Sequence, residues 1–135
     1  MFKSILVPVA LDHTRNVNAA LDIARRLLEE GGTIIALNVI EAIPGYAAVH
    51  LPANYQEKGR SEARAALQAE LGEASDIKLD VVTGHAGRTI LNYAEQHDCQ
   101  CIVVASHRPG LQDYFLGSTA AWVVRHAGCS VHVVR

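Results

Sequence analysis

Aromatic residues make up only 5% of this 135-residue chain, and Trp122 is its single tryptophan. Positive charge is also scarce: 12 Lys and Arg stand against 14 Asp and Glu, a formal net charge of −2. A sequence-independent nucleic-acid binder needs a basic face to displace counterions, so no nucleic-acid partner is expected. No apolar run reaches the roughly 18 residues of a membrane-spanning helix, and no membrane partner is expected. The opening Met1-Phe2-Lys3-Ser4-Ile5-Leu6-Val7-Pro8 has too short an apolar region for a signal peptide and reads as a first buried strand. Cysteines number three, Cys99, Cys101 and Cys129. An odd number, in a chain large enough to fold without cross-links, points to a reducing, cytoplasmic setting.

Apolar side chains, in contrast, make up 50% of the residues. A chain of this length has room for one proper core and not comfortably for two, so a single domain over residues 1–135 is expected. Lys3 to Val9 has the apolar pattern of a strand buried on both faces. After a loop holding Asp12 and Thr14, Val17, Leu21, Ala24 and Leu28 recur at helical spacing. Ala20, Ile23 and Leu27 widen that stripe, and Gly31-Gly32 is expected to stop the helix. Arg25-Arg26 followed by Glu29-Glu30 reads as its solvated face.

Thr33 to Ile40 is a second apolar strand. Glu41 to Asn54, with Pro44, Gly45 and Pro52, reads as a long loop or broken connection. Tyr55 to Leu71 is helical by composition and Gly72 closes it. Ile77, Leu79 and Val81 alternate as a third strand. Gly84 and Gly87 bracket a turn, and Ile90, Leu91 and Ala94 line a short helix. Cys101 to Ala105 is a fourth strand. Ser118 to His126 is a helix with Ala120, Ala121, Val123 and Val124 inward, and Ser130 to Val134 is a last strand.

Five strands alternating with four helices give an α/β fold, a doubly wound parallel sheet with helices on both faces. Ligands of such sheets bind beyond the carboxyl ends of the strands, where strand order reverses. The loops after Val9, Ile40, Thr83 and Ala105 are therefore the candidates for a site.

The most informative stretch runs from Val103 to Thr119, from the end of a buried strand to the start of a helix. Gly117-Ser118-Thr119 sets backbone N–H groups and two hydroxyls at a helix N-terminus, with about half a positive charge from the aligned peptide dipoles. His107 and Arg108 add a titratable donor and a guanidinium fork. A plainer reading is that Ser118 or Thr119 only caps the helix. Strand-end position, the His-Arg pair and the helix start together favour an anion site.

This segment is similar to the nucleotide loop of the universal stress proteins (the UspA superfamily). Their ATP-binding members carry a Gly-x2-Gly-x9-Gly-Ser/Thr pattern before the fourth helix. Ala105-Ser106-His107-Arg108-Pro109 and Leu116-Gly117-Ser118 look like the enterobacterial F and G branch. Ile5-Leu6-Val7-Pro8-Val9, Leu37-Asn38-Val39-Ile40, Thr83-Gly84-His85-Ala86 and the stretch from Val123 to Arg135 extend the likeness over nearly the whole chain.

The resemblance implies a flavodoxin-like sheet and a homodimer joined through the last strand, whose Val131, Val133 and Val134 would otherwise form an exposed edge. It implies ATP or AMP as ligand, with Mg²⁺ as a companion ion, and a regulatory protein partner in the stress response. Pro8, Val9 and Val39 would border adenine and ribose. Ala105, Ser106, His107 and Arg108 would line the phosphate loop, and Gly117, Ser118 and Thr119 would bind the phosphates.

Two departures bear on this. The family usually has Asp after the Pro-Val of its first strand, holding ribose or adenine, where this chain has Ala10; Asp12 is the nearest carboxylate in sequence. The loop glycines are replaced by Ala105 and Arg108. The alternative is a dimeric interaction module of the same family without nucleotide. A third candidate, an adenylate-handling enzyme, lacks its signatures: Ser118 has no His-Asp pair at a recognisable spacing, and no carboxylate couple stands near the loop. Among other residues, Cys99 and Cys101 are expected to face one side of a strand and to be buried small apolar groups; a metal would need a further ligand. Trp122 reads as a packing or interface anchor with no basic patch around it.

Overall fold

The computed structural model of the chain describes residues 1–10, 17–72, 74, 76–106 and 116–135. Strand β1 (Phe2–Pro8) occupies the centre of the sheet. Its stretch Ile5-Leu6-Val7 offers no polar side, and all three residues are fully buried. Strand geometry sends Ile5, Val7 and then Val9 to one face and Leu6 to the other. Beside β1 lie β2 (Leu28–Ile40) and β4 (Cys101–Ala105); outside them lie β3 (Ile77–Thr83) and β5 (Ser130–Val134). The order is β3-β2-β1-β4-β5 and every pairing is parallel.

Helices α1 (Val17–Leu27) and α3 (Tyr55–Leu71) cover one face through Ala20, Leu21, Ala24, Leu67 and Leu71. On the opposite face lie α4 (Ala86–Gln96) and α5 (Ser118–His126), packed through Ile90, Tyr93, Ala94, Ala120 and Val123. This is the expected α/β fold with helices on both faces of a parallel sheet, and its strand order is Rossmann-like. Successive crossovers carry the chain from β1 out to β3, then back past β1 to β4, so strand order reverses between β1 and β4. Tyr93 ties α4 to the far edge: its hydroxyl donates to Asp80 Oδ2 at 2.8 Å, and burial pushes the phenol well above its ordinary range.

The bounds read from sequence for α3, β4, α5 and β5 match the structure. The first helix and second strand do not. Helix α1 ends at Leu27, and Leu28 already pairs with Phe2; the register then jumps, so that Ser4 lies opposite Thr33. The residues between form an irregularity within β2, with Gly31 at φ +80°. A Cβ on Gly32 would stand 2.8 Å from the Lys3 carbonyl oxygen, so Gly32 serves a close strand approach and Gly31 a left-handed backbone turn, rather than a helix stop.

Glu29 and Glu30 accordingly lie on the strand and not on a helix face. The Arg25 guanidinium instead meets Asp76 at 3.0 Å and holds that carboxyl below its usual value. The connection from Glu41 to Asn54 holds a short additional helix, α2 (Gly45–Ala48), with no buried residue. Val124, expected inside, is 46% exposed, because α5 turns only Ala120 and Val123 fully to the core.

Candidate functional site

Beyond the carboxyl ends of β1, β2 and β4 lies a cavity of about 260 Å³. Pro8, Val9 and Ala10 of the first strand end form one wall and Val39 with Glu41 of the second another. Ala86 and Ile90 of α4, Val104 of β4 and Thr119 of α5 close the far side. The position is where strand order reverses, the place at which open α/β sheets bind ligands. Five of the residues singled out in the sequence, Pro8, Val9, Ala10, Val39 and Thr119, therefore meet in one cavity.

The first wall is held by hydrogen bonds beyond the end of its strand. Val9 N–H donates to the Leu37 carbonyl at 2.8 Å, and the Val9 carbonyl accepts from Asn38 Nδ2 at 2.8 Å. Asn38 is 7% exposed, one of two buried polar residues among those described. The other is Ser106, just past β4 and 2% exposed. Its N–H donates to the Val134 carbonyl at 2.9 Å, and its own carbonyl accepts from Gly117 N–H at 2.7 Å. This pair of bonds ties the entrance of α5 to the ends of β4 and β5.

Gly117 is the N-cap of α5, with no side-chain capping bond, and its carbonyl starts the helix by accepting from Ala121 N–H at 2.8 Å. A Cβ there would stand 3.0 Å from the Ser106 carbonyl oxygen, which accounts for glycine at this close approach. The plainer reading, in which Ser118 or Thr119 caps the helix, is not what forms: both lie inside the first turn. Ser118 is exposed, and Ala105 and Thr119 are half-buried. His107, Arg108 and Asp12 lie outside the described residues.

Helix α4 is held against α5 at close range. A Cβ on Gly87 would stand 2.3 Å from Trp122 Cδ1, so only glycine lets the indole lie on that turn. Trp122 is indeed a packing anchor, and one guanidinium and two imidazoles lie against its ring. Arg88 lies 5.8 Å from the ring centroid, His126 stacks at 4.3 Å and His85 meets it edge-on at 5.6 Å. His85 also caps α4, its Nδ1 accepting from Arg88 N–H at 3.4 Å.

Cys99 and Cys101 do not face one side. Cys99 precedes β4 and packs in the core under α4 and α5, whereas Cys101 packs under α1 and α3. Strand alternation fails as a guide because Cys99 is not in the strand. Burial raises all three thiols, Cys101 to about 11; Cys99 and Cys101 are buried small groups, and Cys129 is half-buried. Among the described residues no group of three or more His, Cys, Asp or Glu could hold a metal ion. No helix among them is long and apolar enough to cross a membrane.

The sequence reading passed over Asn38, Glu41, Ala86, Ile90 and Val104. A polar residue inside the apolar run from Thr33 to Ile40 was the available signal for Asn38. Glu41 opens the loop after Ile40, one of the candidate loops; for Ala86, Ile90 and Val104 there was no signal, since only the packing of α4 against the sheet brings them to the cavity.

Comparison with known proteins bears on this arrangement. The chain matches the universal stress protein family over residues 1–135. It is 31% identical to universal stress protein G of Salmonella typhimurium over 145 residues, covering all of both chains. The universal stress protein UspA structure from Lactobacillus plantarum superposes with a TM-score of 0.75 at 26% identity, over 98% of this chain and 97% of that one. A universal stress protein solved in complex with cAMP shares the fold, with a TM-score of 0.61 at 21% identity over 99% and 97% of the two chains. With a full-length family match, a full-length relative of the G type and the same sheet, this chain belongs to the universal stress protein family.

Proposed function

We propose that this chain is an adenine-nucleotide-binding, homodimeric regulator of the stress response, acting in the cytoplasm through a protein partner. Binding rather than turnover is the proposed role. The observation that carries it is the cavity at the sheet's switch point, walled by Pro8, Val9, Ala10 and Val39 and reached by Thr119 from the first turn of α5. Base and ribose would lie against the strand ends. The phosphates, with Mg²⁺, would meet the N–H groups of Gly117, Ser118 and Thr119 and the loop from Ala105 through Ser106, His107 and Arg108. A protein of the same fold is solved with a cyclic adenylate, which makes adenylates the first ligands to test.

Thermal unfolding with ATP, AMP, cAMP and a non-adenine control, each with and without Mg²⁺, tests the reading. A ligand at 100 times its dissociation constant should stabilise the native state by about 2.7 kcal/mol. The absence of any shift with millimolar adenylate would remove the nucleotide from the proposal.

For the dimer, the supporting feature is β5, which among the described residues is an edge strand paired only to β4. Such an edge leaves a row of backbone donors and acceptors free, and a two-fold partner strand satisfies them. Sedimentation should give a dimer for the native chain. Val133→Lys, which brings two like charges to that axis, should give monomer; an unchanged sedimentation coefficient would place the interface elsewhere.

A second reading, an interaction module without nucleotide, is favoured by one observation. Ala10 brings a methyl group to the cavity wall where the family usually has a carboxylate.

A further inference from the structure

We infer that Glu41 supplies the carboxylate that reads the ribose hydroxyls in this chain, in place of the family's acidic residue after the first strand. The inference rests on the nucleotide reading above and specifies its ligand as a ribonucleotide with both sugar hydroxyls free. Glu41 is the only acidic side chain among the described residues that line the cavity, and Ala10 lines it too, from the neighbouring wall. The two positions come from adjacent parallel strands, since Pro8 pairs with Leu37. A carboxylate lost from the end of the first strand can therefore be replaced from the end of the second.

The backbone at this point is held in place. Ile40, the last residue of β2, accepts from Gly84 N–H at 2.9 Å through its carbonyl, which fixes the chain immediately before Glu41. Glu41 is itself exposed. It stands at the lip between this cavity and a larger one of about 640 Å³ on the other side of β2. The chemistry follows from the donor set. A carboxylate only accepts, and its two oxygens can take both hydroxyls of a vicinal diol. An acidic residue at the end of the second strand meets ribose in the same way in dinucleotide-binding sheets of the order 3-2-1-4-5-6, whose first five positions this sheet repeats.

The test is calorimetric titration of ATP, 2′-deoxy-ATP and 2′,3′-dideoxy-ATP into the native chain and into Glu41→Gln and Glu41→Ala. The native chain should prefer ATP over the dideoxy nucleotide by about tenfold or more, with the deoxy form between. Both variants should lose that preference through weaker ATP binding, with dideoxy affinity unchanged. Because Glu41 is exposed, both should unfold at the native temperature, and that scan accompanies the titrations. Variants that keep the sugar preference, or a native chain that has none, overturn the role of Glu41 and leave nucleotide binding standing. A native chain that binds none of the three overturns both.

Discussion

In a chain already carrying Glu41→Ala, the further change Ala10→Asp is expected to raise ATP affinity by roughly 10- to 100-fold, the equivalent of about 1.5–3 kcal/mol for one charge-assisted hydrogen bond. In the native background the same change should add distinctly less. Both side chains would compete for one pair of sugar hydroxyls, and two carboxylates in one cavity repel each other. The difference between backgrounds is the coupling energy between positions 10 and 41, and titration of all four chains measures it. Equal gains in both backgrounds would mean that the two positions act independently and that Glu41 does not stand in for the missing acid. A native chain that binds nothing, together with an Ala10→Asp chain that binds, would instead establish the interaction-module reading. Either result decides between functions that the fold alone leaves equal, because the same sheet can hold a ligand at its switch point or merely retain the shape of one.

The second large effect concerns the layer opposite the cavity. Helix α3 is 17 residues long, yet only Leu67 and Leu71 are buried, and Leu67 is fully so. Docking is thus concentrated in one turn. Leu67→Ala should lower unfolding stability by about 2–5 kcal/mol, from lost transfer energy and the cavity left behind. Arg60→Ala, on the exposed side of the same helix, should change it by less than about 0.5 kcal/mol. Urea denaturation checks both: the midpoint should fall sharply for the first variant, with the slope preserved. If the two variants cost the same, α3 does not dock through that turn.

Where local pattern and packing agree, elements were legible to the residue. Cys101 to Ala105 is apolar at every position because it is covered on both faces, and it forms β4 with those bounds. The stretch from Ser118 to His126 opens after a glycine, and it forms α5. Reading failed where a residue's role depends on a distant partner. Gly31-Gly32 looked like a helix stop, but the Lys3 carbonyl across the sheet decides why glycine is there. Cys99 and Cys101 looked like one face of a strand, but the strand begins only at Cys101. Trp122 looked isolated from positive charge because Arg88 is remote in sequence and arrives with α4.

The candidate site divides along the same line. The likeness to the family named Pro8, Val9 and Val39 beforehand, and the helix start named Thr119; in a parallel sheet such strand and helix ends lie on one edge. Asn38 could not. Whether the Asn38 amide finds the Val9 carbonyl depends on the register of β1 against β2, and that register is set by where the irregularity after Leu28 falls.

By itself, then, the order of apolar runs and glycines determined the alternation of strands and helices and hence the parallel sheet, since burial of each run is a local property of its own side chains. Tertiary structure alone decided which carboxylate faces the cavity and which turn of α3 bears its docking. These depend on contacts between segments tens of residues apart, whose relative positions no local pattern records.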